Sequence, residues 1–138
     1  MKFFFDRNIA RQLARMVAGY ETEHEVVHLD DDRRFDPRSQ DVFILGSLAS
    51  EDPKPVFLTG DLNMRTKHPQ ERKALACSGL TVIFFRKTFH NTPIHEQAMK
   101  LLRVWPDIMR ETMACSAPTA FEVSANAKLI YTCLTHRL

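Results

Sequence analysis

The sequence lacks several features that would assign a chain to a well-known class directly. Its three cysteines, Cys77, Cys115 and Cys133, are odd in number and widely spaced, and no CxxC pair occurs. This usage favours reduced, apolar thiols in a cytoplasmic protein over a disulfide framework or a cysteine zinc site. No GxGxxG or GxxxxGK(S/T) loop is present, which argues against a nucleotide-binding domain.

Further absences narrow the function. No serine or cysteine stands in the setting of a nucleophile elbow. The histidines lack metal-ligand spacing, and His24 and His28, four positions apart, fall in an expected strand, so we interpret all of them as structural or surface residues. The net charge is only +2, so nucleic-acid binding requires a local basic surface. The apolar run at 2–5 is too short for a signal peptide or a membrane span, and no membrane association is expected.

Apolar spacing predicts one α/β domain over residues 1–138. Hydrophobic residues make up 44% of the chain, which is ordinary for a globular domain of this length. Period-two and continuous apolar runs predict strands at 2–5, 25–29, 56–59 and 80–85. Helical spacing and end signals predict helices from Ile9 to Gly19, at 41–50, from Pro69 to Gly79 and at 94–113, where Pro106 kinks or splits the last one. A hairpin is expected at about 119–134. This order predicts a three-layer fold with a mainly parallel central sheet flanked by helices.

Acidic residues follow two of the predicted strands. Asp6 comes directly after strand 2–5, and Asp61 stands two residues past strand 56–59. Because parallel strands end at one edge of a sheet, we expect both carboxylates there, where such sheets bind ligands. Asp41 begins the helix that leads into the second of these strands, and its place is less constrained because the charged segment 30–40 precedes it. Each acid taken alone is more often a turn residue or a helix cap, and only their joint placement favours a ligand site.

A cluster of these carboxylates would require a cation, because like charges repel at neutral pH. Carboxylate oxygens suit Mg²⁺ or Mn²⁺. Such an ion activates water and stabilises the charge that develops in phosphodiester cleavage. Glu71, on the helix after Asp61, is a weaker candidate for a further ligand, and it is at least as well explained as an exposed residue of a first helical turn.

Basic residues near the acids are candidates for binding the phosphates of RNA. Arg7 and Asn8 adjoin Asp6, while Arg65 and Arg72 belong to a basic group just past Asp61. Arginine is the better bidentate phosphate donor. Arg7, Arg11 and Arg15 also recur at four-residue spacing in the first predicted helix, as on a solvated helix face. Most of the phenylalanines have the spacing of core residues, so none is assigned to base stacking.

The residues also resemble a known family. The opening FFFDRNIARQLARMVAG, the helix start DVFILGSLA and the step FLTGDLNM are similar to PIN-like domains. The run ERKALACSGLTVIFF, the helix with LLRVWPDIM and the closing hairpin resemble a VapC-type toxin subgroup. The resemblance implies a Mg²⁺- or Mn²⁺-dependent ribonuclease that acts as the toxin of a type II toxin–antitoxin pair, is neutralised by a small antitoxin and commonly dimerises. It further implies metal ligands at Asp6, Asp41 and Asp61, with Asp6 central.

The chain departs from the family pattern at two positions. Asn63 and Phe43 stand where relatives often have acids. Asn63 can still bind water or phosphate, but it carries no charge. These departures leave an alternative open, a catalytically degenerate PIN-like module that binds RNA or a protein partner without cleavage. A doubly wound domain that binds a small anion at the same edge is the third interpretation.

Overall fold

Six strands form one sheet in the structure, a computed structural model that describes residues 1–62, 64 and 68–132. The strands are β1 (Lys2–Phe5), β2 (Glu25–His28), β3 (Val56–Thr59), β4 (Val82–Phe85), β5 (Ala120–Val123) and β6 (Leu129–Thr132). Their order is β2-β1-β3-β4-β5-β6. Neighbours from β2 to β5 are parallel, and β6 pairs with β5 in antiparallel orientation. The predicted fold class is therefore confirmed.

Over residues 1–62, 64 and 68–132, the helices with described bounds lie close to their predicted positions, with one short additional α-helix. They are α1 (Arg11–Tyr20), α2 (Asp41–Ala49), α3 (Pro69–Ser78), α4 (Lys87–His90) and α5 (Ile94–Ala114), and a 3₁₀ turn covers Leu29–Asp31. α3 begins with proline and ends at Gly79, whose φ of 72° is the left-handed conformation that glycine adopts easily. α5 continues through Pro106 and is not split. The four-residue α4 is too short to produce a helical period, so the sequence does not reveal it.

Helices cover the sheet on both faces, as the continuous apolar strands require. Phe3 and Phe5 lie on the face that packs against α1, α4 and α5, and Phe4 lies on the face that packs against α2 and α3. Trp105 of α5 is buried, with its ring 5.1 Å from that of Phe3. α5 nevertheless leaves apolar side chains exposed, namely those of Ile94, Met99, Leu102 and Met113.

The strand order reverses at β1. The chain passes from β1 outward to β2 and then returns to the other side of β1 as β3. Phe5 and Leu58 are register partners, and the next backbone N–H, that of Asp6, donates to the carbonyl of Leu58 at 2.8 Å. The carboxyl ends of β1 and β3 thus lie side by side, at the kind of crevice where open α/β sheets bind ligands.

Two further predictions concern the ends of the fold. The hairpin is present as β5 and β6, although residues 133–134 of the predicted range fall outside the described part. Over residues 1–62, 64 and 68–132, no helix combines the length and the apolar character needed to cross a membrane.

Candidate metal centre

Asp6 lies buried at the end of β1, held by two hydrogen bonds. Its Oδ1 accepts from the backbone N–H of Arg7 at 2.8 Å, and its Oδ2 accepts from the Thr59 hydroxyl at 2.7 Å. The same hydroxyl oxygen accepts from the backbone N–H of Asp61 at 3.1 Å. Thr59 therefore ties the first acid to the backbone of the second.

Gly60 and its neighbours pack closely at the end of β3. The side-chain oxygen of Asn8 accepts from the backbone N–H of Gly60 at 2.9 Å. On the other side, the His90 imidazole occupies the space where a side chain at position 60 would begin, because a Cβ there would lie 2.6 Å from its Cε1. α4 therefore reaches the same edge of the sheet, which the sequence does not show.

Three carboxylates converge at this edge. Asp41, Asp61 and Glu71 each offer an oxygen, and these oxygens all lie within 4.8 Å of one another. Asp41 is the first residue of α2 and Glu71 lies in the first turn of α3, and these two helices pack against each other on one face of the sheet. Glu71, the weakest candidate from sequence, is thus a full member of the group. Asp6 lies close enough for the Asp41 charge to act on it.

The electrostatics of the group indicate unbalanced negative charge. Burial raises the pKa of Asp6 to about 6, against the hydrogen bonds from Thr59 and Arg7, and the nearby Asp41 carboxylate raises it further. Burial also raises the pKa of Glu71 to about 7, together with a hydrogen bond to Asp41 and the charges of Asp41 and Asp61. Both acids therefore hold protons more tightly than usual.

The donor set fits a hard divalent cation. It consists of carboxylate oxygens, the ligands that Mg²⁺ and Mn²⁺ prefer. Oε2 of Glu71 is buried and has no hydrogen-bond partner among the described residues. A cation placed between these acids would supply that partner and would lower the pKa values that burial raises.

A polar cleft of about 290 Å³ opens beside the acids. It is lined by Arg7, Ser39, Gln40, Asp41, Val42, Gln70 and Glu71. Phe43 stands next to it on α2 with 55% of its surface exposed, whereas the other nine phenylalanines are buried. Its ring packs edge-to-face against that of Phe35, with the ring centroids 5.8 Å apart. The site therefore combines acids, a polar cleft and one exposed aromatic ring.

The structure separates the basic residues predicted from sequence. Arg7 precedes α1 and donates to the carbonyls of Pro37 and Ser39. Arg11 and Arg15, on α1, pair with Asp31. Asn8 is exposed at the edge of the sheet, and Arg72 lies on α3, one residue after Glu71. Asn63 and Arg65 lie outside the described residues.

The sequence predicts no role for Thr59, and His90 is interpreted there, like the other histidines, as a structural or surface residue. Thr59 stands inside the quoted FLTGDLNM step, so its position two residues before Asp61 was a usable signal. The sequence holds no such signal for His90, because its contact with Gly60 joins two residues that are 30 positions apart.

Fold and site together define an α/β domain with an acidic centre where the strand order reverses. The chain belongs to the PIN like domain family, whose sequence profile matches residues 1–87. The matched part includes Asp6, Asp41, Asp61 and Glu71, while α5 and the hairpin lie beyond it. PIN-like domains are generally nucleases and typically depend on a divalent metal, and the acidic group of this chain agrees with both properties. No curated protein and no solved structure matches the chain.

Proposed function

We propose that the chain is a Mg²⁺- or Mn²⁺-dependent endoribonuclease and the toxin of a type II toxin–antitoxin pair. One observation carries the nuclease part. Asp41, Asp61 and Glu71 place carboxylate oxygens within 4.8 Å of one another at the strand-order reversal of a PIN-like domain. The toxin part rests on the sequence resemblance alone.

The residues have four roles in this proposal. Asp41, Asp61 and Glu71 hold the metal. Asp6, which the resemblance implies as the central ligand, is not one of these three converging carboxylates and instead adds a nearby acid oriented by Thr59. When bound, the metal lowers the pKa of a water molecule and offsets negative charge on the scissile phosphate. Asn8 and Arg72, with Asn63 and Arg65 from the sequence prediction, contact the RNA backbone. Phe43 offers its exposed face to a base of the single strand.

Cleavage of a single-stranded RNA in the presence of Mn²⁺ or Mg²⁺ tests the nuclease. Activity should be lost with a chelator and reduced at least a hundredfold in Asp61→Asn. Asp107→Asn is the matched control, because it neutralises an acid on α5 that pairs with Arg110 away from the site. Metal-independent cleavage, or equal loss in both variants, contradicts the proposal.

Expression in a host cell tests the toxin role. Cytoplasmic expression of the unaltered chain should arrest the growth of the host, and expression of Asp61→Asn should not. We further propose that a small antitoxin lays a helix or strand across the acidic edge or α5, inserting an arginine among the carboxylates. The product of a neighbouring small reading frame should then co-purify with the chain. The exposed apolar residues of α5 are the proposed contact of a homodimer, which light scattering on the purified chain tests.

The second candidate is a PIN-like module that binds RNA or a protein partner without cutting. Phe43 favours it, because an exposed aromatic ring stands where relatives often have an acid. Calorimetric titration with Mn²⁺ separates the two. Heat that disappears in Asp61→Asn supports the enzyme, and the absence of heat in the unaltered chain supports the binding module.

A further inference from the structure

Arg7 links two acids of the candidate metal centre, Asp6 and Asp41. Its backbone N–H donates to Oδ1 of Asp6 at 2.8 Å. Its side chain reaches across the site, where Nη1 donates to the carbonyl of Pro37 at 2.9 Å and Nη2 to the carbonyl of Ser39 at 2.8 Å. One residue thus contacts the Asp6 carboxylate and the backbone that leads directly to Asp41.

The segment 30–40 is held by arginines at both of its ends. At its start, Arg11 and Arg15 pair with Asp31. At its end, Ser39 forms a turn with Asp36 and lies two positions before Asp41. No side-chain hydrogen bond caps α2, since its N-cap residue Gln40 makes none. The two hydrogen bonds from Arg7 therefore fix the backbone just before α2, where no side chain caps the helix.

The protein backbone takes up part of the Arg7 guanidinium, which leaves fewer donors for RNA. Both terminal nitrogens donate to carbonyl oxygens, and the third nitrogen, Nε, is buried. A lysine could not replace this contact, because one ammonium on a flexible stem does not present two fixed donors. This differs from the role that the sequence predicts for Arg7, a contact with the RNA backbone.

We infer that Arg7 is a positioning residue that holds the 37–40 backbone and, through it, keeps Asp41 beside Asp61 and Glu71. The inference rests on the proposed function for its consequence, metal binding at Asp41. Its structural part, the attachment of the segment by Arg7, stands without any metal.

Hydrogen exchange and calorimetry on Arg7→Ala and Arg7→Lys test the inference. Arg38→Ala is the matched control, because it removes an exposed arginine from the same segment. In chelator, peptide 36–42 should exchange about tenfold faster in both Arg7 variants and at the original rate in the control, while β4 and α5 stay protected. The Mn²⁺ dissociation constant should rise about tenfold in both Arg7 variants. Affinity for RNA in chelator should change less than twofold in Arg7→Lys.

Three results would overturn the inference: unchanged exchange in peptide 36–42, full recovery of Mn²⁺ affinity by Arg7→Lys, or weaker RNA binding with unaltered Mn²⁺ affinity. The last result would make Arg7 a phosphate ligand. An unaltered chain that binds no Mn²⁺ would contradict the proposed function but not the attachment, since exchange is measured without metal. Persistent protection in β4 shows that each variant is folded.

Discussion

The hydroxyl of Thr59 donates a 2.7 Å hydrogen bond to the buried carboxylate of Asp6. The bond joins the ends of two parallel strands that lie 53 positions apart in sequence. Because the Thr59 oxygen also accepts from the backbone N–H of Asp61, one side chain sets the relative position of two acids. The geometry of the site therefore depends on a residue that is not itself an acid.

We expect Thr59→Val to lower the free energy of unfolding at pH 7 by about 1–2 kcal/mol, because the buried Asp6 carboxylate loses one of its two hydrogen-bond donors. The pKa of Asp6 should rise further, since the lost bond lowers it at present. Thr59→Ser keeps the hydroxyl, so its free energy of unfolding and its Asp6 pKa should stay closer to those of the unaltered chain than in Thr59→Val. Urea denaturation of the three proteins in chelator measures the effect, and equal stability of Val and Ser variants would contradict it.

Asp6 should make the metal-free protein less stable as the pH rises. Its pKa is about 6 in the folded chain against 3.8 for an ordinary aspartate, so the folded state binds more protons between these values. The free energy of unfolding should then fall between about pH 4 and 6, by up to about 3 kcal/mol, and stay lowered above that window. Asp6→Asn should remove this fall and be the more stable protein at pH 7. Denaturation at pH 4 and 7 measures it, and an Asn variant that is less stable at pH 7 would contradict the assignment.

Metal affinity should weaken as the pH falls, because protons compete for the same oxygens. The raised pKa of Glu71, about 7, places this competition near neutral pH, and protonation of Asp6, whose pKa is about 6, removes a further negative charge close to Asp41. Calorimetric titration with Mn²⁺ in buffers of different ionisation enthalpy should show proton release on binding. Glu71→Gln should release fewer protons, and a pH-independent affinity would contradict the proposed ligand set.

Gly60→Ala should perturb the site by a collision with His90. The added methyl group would overlap the imidazole, so either the ring or the end of β3 must move. We expect a loss of about 1–3 kcal/mol in the free energy of unfolding together with weaker Mn²⁺ binding. The double variant Gly60→Ala with His90→Ala should recover most of the loss. If the stability losses of the two single variants simply add in the double variant, the contact between residues 60 and 90 is not the cause of the loss.

Phe43→Leu should weaken binding of a single-stranded RNA about fivefold in chelator, because leucine has no aromatic face on which a base can stack. Mn²⁺ affinity should be unchanged, since the acids are untouched. Tyr20→Leu is the control, an aromatic residue that is 64% exposed at the end of α1. Filter binding measures both variants, and equal effects would exclude a specific role of Phe43.

Much of the fold could be predicted because the local signals agree with the tertiary structure. The run VFLT at 56–59 is buried throughout, as its unbroken apolar character requires, and Gly79 ends α3 as predicted. α4 could not be predicted, because four residues cannot display a helical period. The exposed apolar side chains of α5 were likewise not separable from its core residues by hydrophobicity alone.

The candidate site was predicted in part. Asp6 and Asp61 follow adjacent parallel strands, so the strand-end argument brings them to one edge. Glu71 joins Asp41 and Asp61 only because α2 and α3 pack together, a contact that spacing does not encode. The metal and RNA roles of all these residues stay predictions.

The sequence alone determined the order of strands and helices, the ends of most of them and the presence of acids at two strand ends, because each of these depends on residues near one another in the chain. The tertiary structure decided which strands are neighbours and which face each helix covers. It also decided which side chains meet, as with Thr59 and Asp6, His90 and Gly60, or Arg7 and Ser39. Such contacts depend on packing between distant segments, and no local pattern of apolar and polar residues specifies them.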